Sequence, residues 1–257
     1  MQSAKTTPRL LVTFTVMLLS QSVLLAVSPL VTDDADTVSP GQLQINSDFT
    51  FTQTDSTTLY SVPINPVAGL LPSLELGAVF GYQWRKGPGP ASTTGDANSV
   101  TDLTISPKFR LGEVLEGKLK FSARIDLTLP TASDRHGLGT GNVDAGSIGI
   151  ATYTVGNTAF DFNAGYYSID TARTDFEDDR WFIGQAVRHA LNKNWSVFAE
   201  AYALVPNTGQ GGHSTFYFSG GPQWVVTKNV ALCVLIGTAA GHKSPDLTGT
   251  FELAWQF

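Results

Sequence analysis

From Gln42 onward the chain alternates between apolar and polar side chains, one residue at a time. In GQLQINSDFTFTQT, Leu43, Ile45, Phe49 and Phe51 share one face, with Gln42, Gln44, Asn46, Asp48, Thr50 and Thr52 on the other. LELGAVFGYQWR sets Leu74, Leu76, Phe80, Tyr82 and Trp84 against Glu75, Gln83 and Arg85. DLTISPKFRL and KLKFSARIDLTL follow suit: Leu103, Ile105 and Phe109 oppose Asp102, Thr104, Lys108 and Arg110, and Phe121, Ile125 and Leu127 oppose Lys120, Arg124 and Asp126. A period of two marks a strand with two unlike faces. Phe160 and Phe162 oppose Asp161 and Asn163, and Glu200 points away from Trp195 and Val197. The stretches Ile148–Thr152 and Trp181–Leu191 fix no phase, and VALCVLIG is apolar on both faces. The pattern predicts twelve strands, at about 42–53, 58–66, 74–85, 101–111, 119–129, 143–154, 158–168, 180–191, 195–204, 215–226, 230–239 and 246–257.

The connections add a second regularity. From the third onward, long Gly/Ser/Asp-rich loops (KGPGPASTTGDANS, PTASDRHGLGTGN, IDTARTDFEDD, PNTGQGGHS) alternate with short turns such as GN and NKN. An outer-membrane barrel has an even strand number, short periplasmic turns and longer external loops. Alternation alone does not say which stripe faces outward, because a soluble barrel turned inside out shows the same pattern. The loop lengths and Trp84, Trp181, Trp195, Trp224 and Trp255 near strand ends favour the membrane arrangement, as interfacial girdles would. The expected fold is all-β: a transmembrane antiparallel up-and-down β-barrel of about twelve strands.

Both ends agree with export. Lys5 and Arg9 precede an apolar run from Leu10 to Val27 that reads as a signal peptide over residues 1–28, leaving 29–257 as the barrel. The final stretch, GTFELAWQF, alternates to its last residue, so it is expected to close the barrel against the first strand. Phe257 resembles the terminal aromatic signature that the barrel assembly machinery of bacterial outer membranes recognises. Charged residues are only 15% of the chain and the formal net charge is −6, which argues against a nucleic-acid partner. Cys233 is the single cysteine, so no internal disulfide forms, and no Cys/His spacing offers a zinc site.

The segment PLVTDDADTVSPGQLQINSDFTFTQ, Pro29–Gln53, resembles the opening of the family described as "putative MetA-pathway of phenol degradation". DLTISPKFRL, the LPTASDRHGLGTGN loop and Glu200 in FAEAY are further points of likeness. The resemblance implies an outer-membrane location and a channel or transport role associated with aromatic compounds. It implies no catalytic residue set.

If the apolar stripe faces lipid, the lumen carries Asp48, Glu75, Arg85, Lys108, Arg110, Lys120, Arg124, Asp126, Asp161, Glu200 and Glu252 as pore-lining candidates. Lys108, Arg110, Lys120 and Arg124 form a basic wall on two neighbouring strands, with Glu75, Glu200 and Glu252 expected to face it across the lumen. A narrow, partly plugged pathway and a fully packed interior are the two readings. The TDDAD cluster (Asp33, Asp34, Asp36) lacks the spacing of a calcium loop. It is expected to be a solvated stretch, with docking in the periplasmic mouth as the alternative. GLGTG at 137–141 has no following Lys-Ser/Thr and reads as an external loop. His136, His189, His213 and His242 have no GxSxG elbow to serve, so no enzyme is expected. The expected function is passage of small solutes, aromatic or hydrophobic ones among them, across the bacterial outer membrane without a cofactor. The alternatives are a non-conducting structural or loop-binding barrel and an outer-membrane enzyme.

Overall fold

The computed structural model describes residues 30–88, 95–169, 179–207, 213–241 and 244–257. The signal peptide expected over 1–28 lies outside them. The strands are β1 (Leu43–Thr54), β2 (Thr57–Leu71), β3 (Leu74–Lys86), β4 (Ala97–Val100), β5 (Leu103–Val114), β6 (Leu119–Leu129), β7 (Asp144–Val155), β8 (Thr158–Ser168), β9 (Arg180–Ala190), β10 (Trp195–Pro206), β11 (Thr215–Thr227), β12 (Val230–Ala240) and β13 (Leu247–Gln256). β4 and β5, parted by Thr101 and Asp102, both pair with β3 and act as one interrupted strand. The wall is therefore a twelve-stranded antiparallel barrel. β1 pairs with β2 on one side and with β13 on the other, which closes it. Phe257 and Leu43 exchange backbone hydrogen bonds at that seam, 2.8 and 3.3 Å.

Closure is what lipid demands, since an open edge would leave peptide groups without partners in hydrocarbon. β2 runs to Leu71, beyond the expected end at residue 66, although it contains Pro63 and Pro66. Each proline falls where one ladder lapses. Pairing with β1 skips Val62 and Pro63, and pairing with β3 skips Asn65 and Pro66. The missing N–H groups therefore break few bonds, and the strand continues through residues that read as breakers.

The alternation resolves with its apolar stripe outward. On β13, Phe251 and Trp255 are 47% and 49% exposed while Glu252 between them is 1% exposed. Large hydrophobics such as Phe80, Phe109, Ile125, Ile183, Phe218 and Ile236 are exposed in the same way. An exterior of this kind is unstable in water and favourable in lipid. Aromatic clusters mark both rims: Trp195 stacks on Trp224 and Trp255 on Phe257 at the short-turn end, while Trp84 stacks on Tyr60 and Trp181 meets Tyr166 at the long-loop end.

Val234 lies on the outer face, 40% exposed, at mid-strand opposite Phe251. Val234→Arg is expected to destabilise the barrel by about 2–4 kcal/mol in reversible unfolding from phospholipid bilayers. A loss well below 1 kcal/mol would place that face away from the hydrocarbon.

Candidate functional site: a charged lumen and the segment inside it

Twelve strands enclose more space than inward side chains fill. Residues 30–38, ahead of β1, occupy part of it. The segment enters at the short-turn end, where Gly41 N–H donates to the Gly69 carbonyl and Gly69 N–H to that of Gln42. From there its polar backbone is met by wall side chains. Val38 N–H donates to Glu75 (2.6 Å), Ala35 N–H to Thr152 Oγ1 (2.8 Å) and Asp33 N–H to Asn163 Oδ1 (2.9 Å). Thr32 N–H donates to Glu200, and Ser122 Oγ donates to the Ala35 carbonyl. Leu30 packs at the far wall against Phe198, Cys233 and their neighbours on β10, β12 and β13. The segment thus crosses from β3 past β5–β9 to β10–β13.

The TDDAD cluster is therefore not the solvated stretch its sequence suggests. Its carboxylates meet the basic wall. Asp33 bridges Lys108 (3.2 Å) and Arg124 (2.8 Å), Asp34 takes Arg188 (3.1 Å), and Asp36 takes Lys120 (2.7 Å). Nothing local announces this, because the partners lie more than 70 residues away and are brought near only by barrel closure. Burial pushes the Asp33 carboxyl up, but Lys108 and Arg124 outweigh it and hold it below its ordinary value. For Asp34 burial wins over Arg188 and Lys108, and its carboxyl is pushed up to about 6.

The wall supplies its own counter-charges as well. Glu75, in register with Lys108, approaches it to 3.0 Å; Asp126 lies 3.0 Å from Arg124, and Asp161 2.8 Å from Arg188. Glu75 thus faces its cation along the wall rather than across the lumen. Glu200 holds Thr32 and Ser219, and Glu252 sits in register with Asp48, away from the basic wall. Arg110 lies towards the rim, 2.7 Å from Glu113 and 3.9 Å from Asp36. Arg85 and Gln83 serve the mouth: Arg85 Nη1 donates to the His136 carbonyl and Gln83 to that of Leu138, both 2.7 Å, tying the β6–β7 loop inward.

Arg188 was not among the sequence candidates, and neither was the apolar patch of Ile148, Ile150 and Phe182 that covers Ala35. β7 and β9 carry small or apolar residues on both faces, so their phase is silent in isolation. Cross-strand register supplies it: Thr152 and Ala186 both pair with Asp161, and partners share a face. Phe182, Gly184 and Arg188 must then point inward with Ala186. Between the segment and the β1–β6 wall lies a cavity of about 290 Å³, running from Gln44 near the short-turn rim to Thr104 and Asp126 in the far half. A second, of about 300 Å³, opens above Val31 between Tyr202, Tyr217 and Thr50.

The described histidines do not converge. His136 bonds Ser133 at the long-loop end, His213 precedes β11 at that same end, and His189 bonds Thr158 at the opposite one. His242 lies outside the described residues, as does most of the FEDD carboxylate cluster.

The family model described as "Putative MetA-pathway of phenol degradation" matches residues 26–257. No curated protein matches the chain. A crystal structure of an outer membrane channel from Pseudomonas putida F1 superposes with a TM-score of 0.69 at 17% identity, covering 90% of this chain and 100% of that one. The KdgM porin gives 0.57 at 8%, covering 82% and 99%. The β-domain of the Bordetella autotransporter BrkA gives 0.51 at 12%, covering 85% and 100%. At these identities the likeness is one of fold. The fold is that of a barrel of the bacterial outer membrane.

Asp33→Asn removes a carboxylate shared by two cations, each of which keeps a wall partner. Charge-assisted bonds of this kind contribute roughly 1.5–3 kcal/mol, so the amides of Thr32, Ala35 and Val38 should exchange hydrogen about ten- to a hundredfold faster while the strands stay protected. Unchanged exchange there would mean that Asp33 does not hold the segment. The two buried carboxyls also set the pH response. Asp33, held below its ordinary value by Lys108 and Arg124, keeps its pairs until the pH falls below the usual carboxylate range. A group whose docked pKa is raised favours docking as pH falls, so Asp34 strengthens it between pH 7 and 5. A nitroxide at Val31→Cys should be no more mobile at pH 5 than at pH 7; mobilisation at pH 5 would contradict this assignment.

Proposed function

The chain belongs to the family described as "Putative MetA-pathway of phenol degradation", and from that membership and its lumen we propose that it is a channel passing small solutes across the outer membrane. The observation that carries this reading is the charged cavity beside the segment, bounded by Lys108, Arg124, Glu75 and Asp126. A barrel serving only as a wall or a loop platform has no use for buried cations, which cost several kcal/mol each unless compensated. Such groups instead set the selectivity of an aqueous path. The eleven pore-lining candidates divide accordingly. Glu75, Lys108, Lys120, Arg124, Asp126 and Asp161 border the path and the segment, Arg110 its rim, and Arg85 its outer mouth. Asp48, Glu200 and Glu252 line the opposite wall.

The segment across the lumen favours a gated channel over an open one. A catalytic reading has less support, since the described histidines are spread over both ends. The solute is small and needs no cofactor, the exterior takes lipid, and Phe257 at the closing seam is a handle for the barrel assembly machinery.

Single-channel recording in planar bilayers tests the proposal. Discrete steps are expected from the protein or from a variant lacking residues 30–38, with an anion preference in the variant. That preference should fall at least several-fold when Lys108, Arg110, Lys120 and Arg124 are replaced by Gln. Silence from both proteins, with folding verified by heat-modifiable migration, would overturn it.

A further inference from the structure

We infer that the cations around the docked segment form a binding site for an amphipathic organic anion, one carboxylate on an apolar body, and that residues 32–36 occupy it as a tethered stand-in. The inference rests on the channel reading above and names the solute class of that channel.

Three observations carry it. The first is charge. Lys108, Lys120, Arg124 and Arg188 face three wall carboxylates, Glu75, Asp126 and Asp161, so the described cluster without the segment holds one more cation than anions. With the segment docked, Asp33, Asp34 and Asp36 turn that surplus into an excess of acid. The site alone suits a single carboxylate, and the segment oversupplies it.

The second is chemistry. Asp33 places one carboxylate between Lys108 and Arg124, and two residues later the Ala35 methyl is fully buried against Ile148, Ile150 and Phe182. A fork of two cations beside an apolar wall recognises an anion with a hydrophobic body. A bare inorganic ion would leave the apolar wall uncovered, and a neutral aromatic would make no charged contact with the fork.

The third is that the wall makes room for the segment and for little else at two points. A Cβ at Gly69 would collide with the Val38 and Ser39 carbonyl oxygens, where the segment enters. A Cβ at Gly184 would lie 2.8 Å from Thr32 Oγ1 and 2.9 Å from the Phe182 ring, so the segment shares that space with the wall. The docking is thus built into the barrel. Its contacts belong to a peptide ahead of β1, so it can leave without breaking the strand ladder. A solute carboxylate entering the fork competes with Asp33, and its apolar body competes with Ala35. The solute that the lumen passes would then release the segment that obstructs it.

The test uses the chain recovered from outer membranes, with a nitroxide at Val31→Cys; Cys233 is 1% exposed and stays in place. Benzoate is the probe, against acetate and chloride at equal ionic strength and the neutral benzamide. Benzoate should mobilise the label at concentrations where the other three do not. Gly69→Ala, which displaces the segment and leaves the cations untouched, should bind labelled benzoate about tenfold more tightly, equivalent to about 1.4 kcal/mol of relieved competition. Asp33→Asn should shift affinity in the same direction, and serves if Gly69→Ala does not fold. Label mobility unmoved by benzoate, with the same affinity in wild type and both variants, would overturn the inference. Equal displacement by chloride would leave an inorganic-anion site only, and equal displacement by benzamide an apolar one; either also overturns it. Conductance of the same sample separates the two proposals. A silent protein that releases its segment to benzoate keeps the site and loses the channel, whereas a conducting protein that ignores benzoate does the reverse.

Discussion

Hydrocarbon offers no hydrogen-bond partner to a peptide N–H or C=O, and the rest of this structure follows from that. Every wall strand must be paired on both sides, so β1 has to meet β13. Once the sheet is closed with its apolar stripe on lipid, the alternate stripe is committed to the interior whatever its chemistry. Here that stripe is strongly charged, and its own ion pairs form along the wall, within a strand or between neighbouring strands. The barrel therefore creates an electrostatic problem as it solves the backbone one.

Two sets of contacts meet that problem, and they differ in kind. The first is fixed by strand register: Glu75 beside Lys108 on neighbouring strands, and Asp161 beside Arg188 one strand over. These pairs form with the wall and cannot be lost without undoing it. The second comes from Asp33, Asp34 and Asp36 on a peptide that crosses the lumen and contributes nothing to the ladder. Each of Lys108, Arg124 and Arg188 has a wall acid as well as a segment acid, so among these cations departure of the segment takes the described ion-pair partner of Lys120 alone. The segment's own amides are met by Glu75, Asn163 and Thr152, so it is also held in a defined place rather than loosely tethered.

The apolar patch of Ile148, Ile150 and Phe182 departs from the rule of a polar lumen. Seen with the fork of Lys108 and Arg124, it gives the interior an amphipathic character that neither half would have alone. The exterior carries aromatic clusters at both rims, and the mouth is narrowed by a loop tied down through Gln83 and Arg85. The charged fork and the apolar patch lie side by side inside the barrel, where wall and segment meet.

The sequence by itself determined the strands, because period-two alternation is a local signal set by the pleat. The strand bounds agree closely, apart from β2, extended through its prolines, and the fourth wall strand, which splits into β4 and β5 and starts at Ala97. The same signal, once its sign was chosen from loop lengths, placed Glu75, Lys108, Asp126 and Glu252 inward. Tertiary structure decided everything that depends on two distant residues arriving at one place. Arg188 and Phe182 acquired an inward direction only through register with Asp161. Asp33 acquired its partners only because closure put Lys108 and Arg124 around the path of the chain ahead of β1. An alternation pattern records which way a side chain points, but a charge pair is a distance, and distance across a lumen is not written in the spacing of residues along the chain.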